Sequence, residues 1–176
     1  MTCKEKLTEA IRIVEDFPKP GISFKDITPI LLNPALVQEV IEELARPWKD
    51  KGITRVMGIE SRGFLFGPGI AMQLNAGFII VRKKGKLPPS TFSVSYALEY
   101  GEAEIEISDY AIRPGEVVLV HDDILATGGT AAAAASLAVN QGALVKGFSF
   151  LSELAILNGR ERLVGFSTDV ETILNF

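Results

Sequence analysis

Val117-Val118-Leu119-Val120-His121-Asp122-Asp123-Ile124-Leu125-Ala126-Thr127-Gly128-Gly129-Thr130 is an apolar run that ends in two adjacent carboxylates, followed by a turn of small and hydroxylated residues and then by the alanines 131–135. The order reads as buried strand, binding loop, helix, and parallel sheets leave such loops open to ligands at the carboxyl ends of their strands. Gly128 and Gly129 put no side chain between backbone amide and ligand. Thr127 and Thr130 add hydroxyl donors, and the free amides of the first helical turn attract a phosphate. Asp122 and Asp123 repel a phosphate, so they suit a polyol, such as ribose hydroxyls, or a bound metal. A plain strand-to-helix turn, with acids and threonines as caps, is the structural alternative. A P-loop is a poorer reading, because no lysine follows the glycines and the required spacing is absent.

Working outward, strands and helices alternate. Thr54 to Ile59 reads as a buried strand, Gly63 to Leu74 as a helix and Phe78 to Arg82 as the next strand. Glu102 to Ile107 alternates charged and apolar residues, as a strand with one wet face does. A helix from about Thr130 to Gln141 stops at Gly142, and Leu144 to Leu151 forms a further strand. Upstream, Leu7, Ile11 and Val14 at helical spacing predict an amphipathic helix ending before Phe17-Pro18. Asn33-Pro34 starts a second helix carrying Leu36, Val40, Ile41 and Leu44, which bends near Pro47 with Trp48 packed at the corner. Gly159-Arg160-Glu161-Arg162 reads as a solvated turn and short helix, and residues 166–176 as a strand or a dimer contact. The expected fold is α/β: a mostly parallel twisted sheet flanked by helices.

The composition bounds the function. The 176 residues are 47% hydrophobic, enough for one core and one domain. A net charge of -4 gives no general attraction to nucleic acid or to an anionic membrane, so an anion site must be local. Cys3 is the only cysteine, which excludes an internal disulfide and suggests a cytoplasmic home; it reads as incidental, near a mobile terminus. The first ten residues lack a hydrophobic signal core, and no apolar run is long enough to cross a bilayer.

A second anion mouth follows the strand at 54–59. Glu60-Ser61-Arg62-Gly63 is again a small polar turn opening a helix, and Arg62 offers a planar charged donor. Two such mouths on one sheet edge suit a substrate with phosphates at both ends. Arg82-Lys83-Lys84-Gly85-Lys86 puts four cations into five residues. A solvated charge run and a nucleic-acid patch are the general readings, and the latter lacks stacking aromatics. Residues 87–92 then look poor in regular structure.

With Phe17 through Ile27 and Leu98-Glu99-Tyr100-Gly101, these segments resemble the type I phosphoribosyltransferases, and among them the members that take adenine, over roughly residues 16–157. The resemblance implies a fold with a small N-terminal hood (1–33), a core (34–176) and a flexible lid loop (about 83–101). It also implies transfer of the 5-phosphoribosyl group from phosphoribosyl pyrophosphate to adenine, giving AMP and pyrophosphate, with Mg2+ held mainly by substrate. The implied roles are Asp122 and Asp123 on the ribose, and Ala126, Thr127, Gly128, Gly129 and Thr130 on the 5-phosphate. Ser61, Arg62, Gly63, Arg82, Lys83 and Lys86 take pyrophosphate. Backbone groups of Ser23 and Lys25 read the adenine edge while Phe24 and Ile124 sandwich the ring, and Glu99 assists proton movement near N7. The resemblance further implies a homodimer and a strained or cis Glu60–Ser61 bond. The sequence departs from the pattern at His121, where an aliphatic residue is usual, and at Lys25, where arginine is frequent.

Other readings on the same signature are an enzyme for guanine, hypoxanthine, xanthine or orotate, and a non-catalytic sensor of phosphoribosyl pyrophosphate. The Phe24 segment speaks against the first. The short stretch before Phe17 and the net acidity speak against a nucleic-acid-binding sensor. An unrelated phosphatase would place a residue between the two acids.

Overall fold

The computed structural model describes residues 1–97 and 101–176. Its centre is a seven-stranded sheet. The strands are β3 (Arg55–Ile59), β4 (Gly77–Lys83), β5 (Thr91–Ala97), β6 (Glu102–Ser108), β7 (Val117–Leu125), β8 (Leu144–Glu153) and β9 (Val170–Asn175), in the order β5-β6-β4-β3-β7-β8-β9. The block β4-β3-β7-β8-β9 is parallel, and β6 and β5 add antiparallel strands at one edge. Helices cover both faces, as expected. α5 (Gly129–Asn140) packs its alanines on one face with Val120, Phe148 and Phe150. On the other face lie α1 (Cys3–Ala10), α2 (Thr28–Leu31), α3 (Pro34–Ala45) and α4 (Gly63–Gln73), which enclose Val40, Phe66, Ile70 and Leu119.

Local chemistry sets the boundaries. Asn33 caps α3 by accepting from the Leu36 amide at 3.2 Å, and Pro34 opens it. The chain then turns through a short 3-10 segment at Arg46–Trp48 with Trp48 buried, as expected.

Four expectations need correction. The first helix does not run to Val14. It ends at Ala10, and Arg12–Val14 forms β1, paired antiparallel with β2 (Phe24–Asp26). The β-branched Ile13 and Val14 suit a strand once a partner is available. The resulting pair forms a two-stranded sheet separate from the main one. Nor is Cys3 in a loose terminus: Thr2 and Glu5 form a reciprocal capping box, with bonds of 2.7 and 3.3 Å, and Cys3 opens α1 half-buried.

The proposed lid is also not all loop. Thr91–Ala97 pairs with β6 along its whole length as the edge strand of the sheet, which satisfies the backbone groups on its inner side. The wet face of β6 is only partly wet. Glu106 is buried, because residues 84–91 fold over it: its carboxylate accepts from the amides of Lys86 (2.9 Å) and Leu87 (3.0 Å) and from Thr91 Oγ1 (3.0 Å).

Candidate active site

The register of the parallel strands brings the two anion mouths together. β3 and β7 are neighbours with Gly58 opposite His121, so the turn at Glu60–Gly63 and the acidic pair leave the sheet side by side. The approach is close: a Cβ on Gly63 would lie 2.8 Å from the His121 carbonyl oxygen and 3.3 Å from Asp122 Oδ1. The Glu60–Ser61 bond is cis.

β7 continues past the acids to Leu125, so Asp122 and Asp123 sit on the strand rather than in the loop, and neighbouring strand residues point to opposite faces. Asp123 is buried, and its Oδ2 lies 3.1 Å from Arg62 Nε. Asp122 is half-buried, and its Oδ1 accepts the Asp123 amide at 2.9 Å. Burial, and then the charge of Asp123, push the Asp122 carboxyl well above the ordinary carboxylate range. Burial also raises Asp123, with Arg62 pulling in the other direction. Two carboxyls held reluctant to ionise form an acceptor pair tuned for hydroxyl groups or a cation.

Asp122, Ile124 and the loop Ala126–Thr130 line a cavity of about 170 Å³ together with Phe150. Gly128 has φ +78°, and a Cβ there would collide with the Gly159 carbonyl oxygen. Glycine is therefore demanded at this position by backbone shape and by the packed tail, in addition to the open approach that the sequence suggests. Gly129, Thr130 and Ala131 open α5, whose first amides have no helical acceptor. The Thr130 hydroxyl donates to the Tyr96 hydroxyl at 3.2 Å.

Hood and mouth meet through Phe24. The Arg62 guanidinium lies over its ring at 5.4 Å from the centre, and Phe17 packs edge-on at 5.3 Å. Phe24 is thus half-buried at the site and not in the core. Ser23 Oγ accepts from Lys25 Nζ (2.9 Å) and donates to Glu15 (3.1 Å), and Lys25 Nζ stands 5.0 Å from the Phe176 ring centre. Phe24 is assembled with Arg62 and Asp123, whereas Ile124 joins the loop cavity.

The basic run is less free than its sequence suggests. Arg82 (3.2 and 3.3 Å) and Lys86 (2.7 Å) both bind the Glu60 carboxylate, which also accepts the Lys83 amide at 3.0 Å. The Arg82 bonds, with Lys86 and the Lys83 amide behind them, hold the Glu60 carboxyl down at about 2. The Lys83 side chain is exposed, and so is Ser61. Glu99 lies outside the described residues.

Sequence reasoning missed Glu60, Tyr96, Phe150 and the tail. The Gly159–Arg162 segment is a 3-10 turn as expected, but it is not simply solvated: Gly159 is buried, and a Cβ on it would collide with the Ala126 carbonyl. The available signal was the glycine itself, ahead of three charged residues. His121 is fully buried with Nδ1 2.9 Å from the Ser149 carbonyl oxygen, and burial lowers its pKa to about 4.

Comparison with known proteins fits this geometry. Residues 26–153 match the phosphoribosyl transferase domain. An adenine phosphoribosyltransferase of Anaeromyxobacter dehalogenans is 56% identical over 153 residues, covering 87% of this chain and 89% of its own. The crystal structure of adenine phosphoribosyltransferase from Rhodothermus marinus superposes with a TM-score of 0.92 at 52% identity, over 99% of this chain and 98% of that one. The Saccharomyces cerevisiae enzyme, crystallised with adenine and an imino-altritol bisphosphate, gives a TM-score of 0.91 at 41% identity, with 98% of each chain covered.

Proposed function

The chain belongs to the phosphoribosyl transferase family, and we infer that it works as the adenine-specific members do, moving the 5-phosphoribosyl group from phosphoribosyl pyrophosphate to adenine and releasing AMP and pyrophosphate. The observation that carries this reading is the Arg62–Asp123 pair. It joins the turn after β3 to the end of β7, next to the loop cavity and beneath the ring of Phe24. A sugar with a phosphate at each end fits across such a mouth, and a flat base fits under the hood. Transfer to another purine or to orotate is not favoured, because the relatives over the whole chain act on adenine.

The division of labour follows from the chemistry. Asp122 and Asp123 accept from the ribose hydroxyls and offset the positive charge that grows at the anomeric carbon as pyrophosphate departs. The amides and hydroxyls of Ala126–Thr130 take the 5-phosphate. Ser61, Arg62 and Gly63 take pyrophosphate, with Arg82, Lys83 and Lys86 closing from the other side. Arg82 and Lys86 must exchange Glu60 for pyrophosphate, so their charge is held in place beforehand. Main-chain groups of Ser23 and Lys25 match the adenine edge, and Phe24 and Ile124 bound its faces. Glu99 moves the proton at N7 as N9 becomes nucleophilic. The lid comprises residues 83–101, with β5 as its stiff limb paired to β6, and it excludes water as a competing nucleophile.

Among the described residues, no cluster of three or more His, Cys, Asp or Glu side chains is arranged to cage a metal. Mg2+ would be held mainly by the substrate, with the hard carboxylate oxygens of Asp122 and Asp123 nearby, and would supply charge neutralisation on the pyrophosphate.

A homodimer is the expected assembly: Leu65 and Met72, seven residues apart on α4, are exposed on one side of that helix. Among the described residues no helix is long and apolar enough to cross a membrane, and the expected compartment is the cytoplasm. Residues 1–33 serve as hood and 34–176 as core of one domain.

The test is a labelled-base assay with phosphoribosyl pyrophosphate and magnesium, offering adenine, guanine, hypoxanthine, xanthine and orotate side by side. AMP as the dominant product supports the reading, and preference for any other base rejects it. In the same assay Glu99→Gln should lose most of its turnover, and unchanged turnover removes Glu99 from the mechanism.

A further inference from the structure

Arg162 comes from the tail, beyond the segments whose motifs carry the resemblance, yet its guanidinium stands over the loop Ala126–Thr130. Its Nη1 lies 3.3 Å from the point where a side chain on Gly129 would begin, and the same point is 3.8 Å from Thr127 Oγ1. Guanidinium and hydroxyl therefore converge above the first residue of α5, where the helix amides are unsatisfied.

The charge balance of the site asks for such a group. The loop Ala126–Thr130 contains no cation, and a phosphate bound there adds nearly two negative charges next to Asp122 and Asp123. Of the other cations of the mouth, Arg62 is engaged by Asp123 and Arg82 and Lys86 by Glu60, while the exposed Lys83 lies on the pyrophosphate side. Arg162 has no carboxylate within ion-pair distance among the described residues.

The backbone that carries it is also anchored. Gly159 packs against the Ala126 carbonyl, Leu163 is fully buried, and Arg160 bonds Glu153 at 2.7–3.0 Å and the Val170 carbonyl at 2.8 Å. An incidental surface arginine would need no such anchoring on both sides.

Building on the phosphoribosyl transfer reading, we propose that Arg162 is a further ligand of the 5-phosphate, a charged donor delivered to the loop by the Gly159–Arg162 turn. It acts on binding of the phosphoribosyl group and leaves the base and the departing pyrophosphate untouched.

The experiment is isothermal titration of the full chain and its Arg162→Gln and Arg162→Lys variants with ribose 5-phosphate, and separately with pyrophosphate, alongside steady-state kinetics. Arg162→Gln should weaken ribose 5-phosphate about tenfold and raise the KM for phosphoribosyl pyrophosphate alike. Pyrophosphate affinity and the KM for adenine should hold, and Arg162→Lys should recover part of the loss. Ribose 5-phosphate affinity within about twofold of wild type in Arg162→Gln overturns the proposal. So does an equal loss for adenine or pyrophosphate, which marks a general disturbance. Failure of the wild-type chain to bind ribose 5-phosphate overturns the functional reading as well, and that outcome is distinct from wild-type binding with an indifferent variant.

Discussion

Arg62 Nε stands 3.1 Å from Asp123 Oδ2, tying the turn after β3 to the end of β7. The pair gives Asp123 a countercharge inside a buried setting and leaves Asp122, its neighbour on the opposite face of the strand, with only a backbone amide. The two acids are thus chemically unequal before any substrate arrives, and their unequal burdens can be separated by mutation.

Asp122→Asn should stabilise the ligand-free chain while disabling it. The folded-state pKa of Asp122 is raised, so the protonated form favours folding: its contribution is complete below the ordinary carboxylate value and is lost as pH rises through the folded-state value. At pH 7 wild type carries that cost, and the asparagine does not. The amide oxygen still accepts from Asp123. A gain of about 1 kcal/mol, or roughly 2–4 °C in Tm, is expected at pH 7, shrinking toward pH 4, with turnover sharply reduced. A variant melting at or below wild type at both pH values would refute the account.

Glu60→Gln has the opposite pH signature. Its folded-state pKa is depressed to about 2 by Arg82, Lys86 and the Lys83 amide. The stabilisation is therefore present above the ordinary carboxylate value and lost as pH falls through that value toward 2. The substitution should cost about 2 kcal/mol at pH 7, and the gap to wild type should close on acidification. It should also raise the KM for phosphoribosyl pyrophosphate, because Arg82 and Lys86 are no longer held at the mouth. Thermal melts of both proteins between pH 7 and 3 decide the matter.

The architecture was legible because its signals are local: apolar strands, glycine-threonine turns and the Asn33 cap each state their conformation within a few residues. That the acids, the loop Ala126–Thr130 and Arg62 gather at one end of the sheet was legible for the same reason, since a strand end followed by small residues marks the open edge of a parallel sheet. What escaped depends on partners distant in sequence. Arg12–Val14 is a strand only because Phe24–Asp26 is there to pair with it. Glu106 looks like a solvent-facing strand residue until residues 84–91 cover it, and Glu60 looks like part of an anion turn until Arg82 and Lys86 reach it. Arg162 sits in a charged turn whose meaning depends on Gly159 meeting Ala126, and no spacing rule announces that contact.

Gly159→Ala should strike the phosphate loop from beneath. The added methyl meets the Ala126 carbonyl and the Leu125 side chain, and both are too well packed to yield. Overpacking of this kind costs about 1–3 kcal/mol, and the displaced loop should bind ribose 5-phosphate more weakly. Gly165→Ala is the matched control, since nothing lies within 4 Å of the added carbon; it should stay within about 0.5 kcal/mol of wild type. Equal melting temperatures for the two variants would mean that the tail does not brace the loop.

His121 precedes the acids directly and should nevertheless stay uncharged throughout the working range. Its Nδ1 hydrogen is committed to the Ser149 carbonyl, and Nε2 is buried with no partner among the described residues, so a second proton would have nothing to bond. Burial lowers its pKa to about 4. Because the folded value lies below the unfolded one, the stabilisation is complete above pH 6.5 and drains away as pH falls from there toward 4, by about 3 kcal/mol in all. His121→Asn keeps a donor for Ser149 and removes the titration, so the variant should lose stability at pH 7 through poorer packing and yet depend less on pH between 6.5 and 4. As His121 is the only histidine, its imidazole signals in a nitrogen–proton correlation spectrum need no assignment. They should report the Nδ1-protonated tautomer, unchanged from pH 8 to 5. A midpoint near 6.5 in the folded chain would mean that solvent reaches the ring, and that the strand just before the acidic pair is not dry.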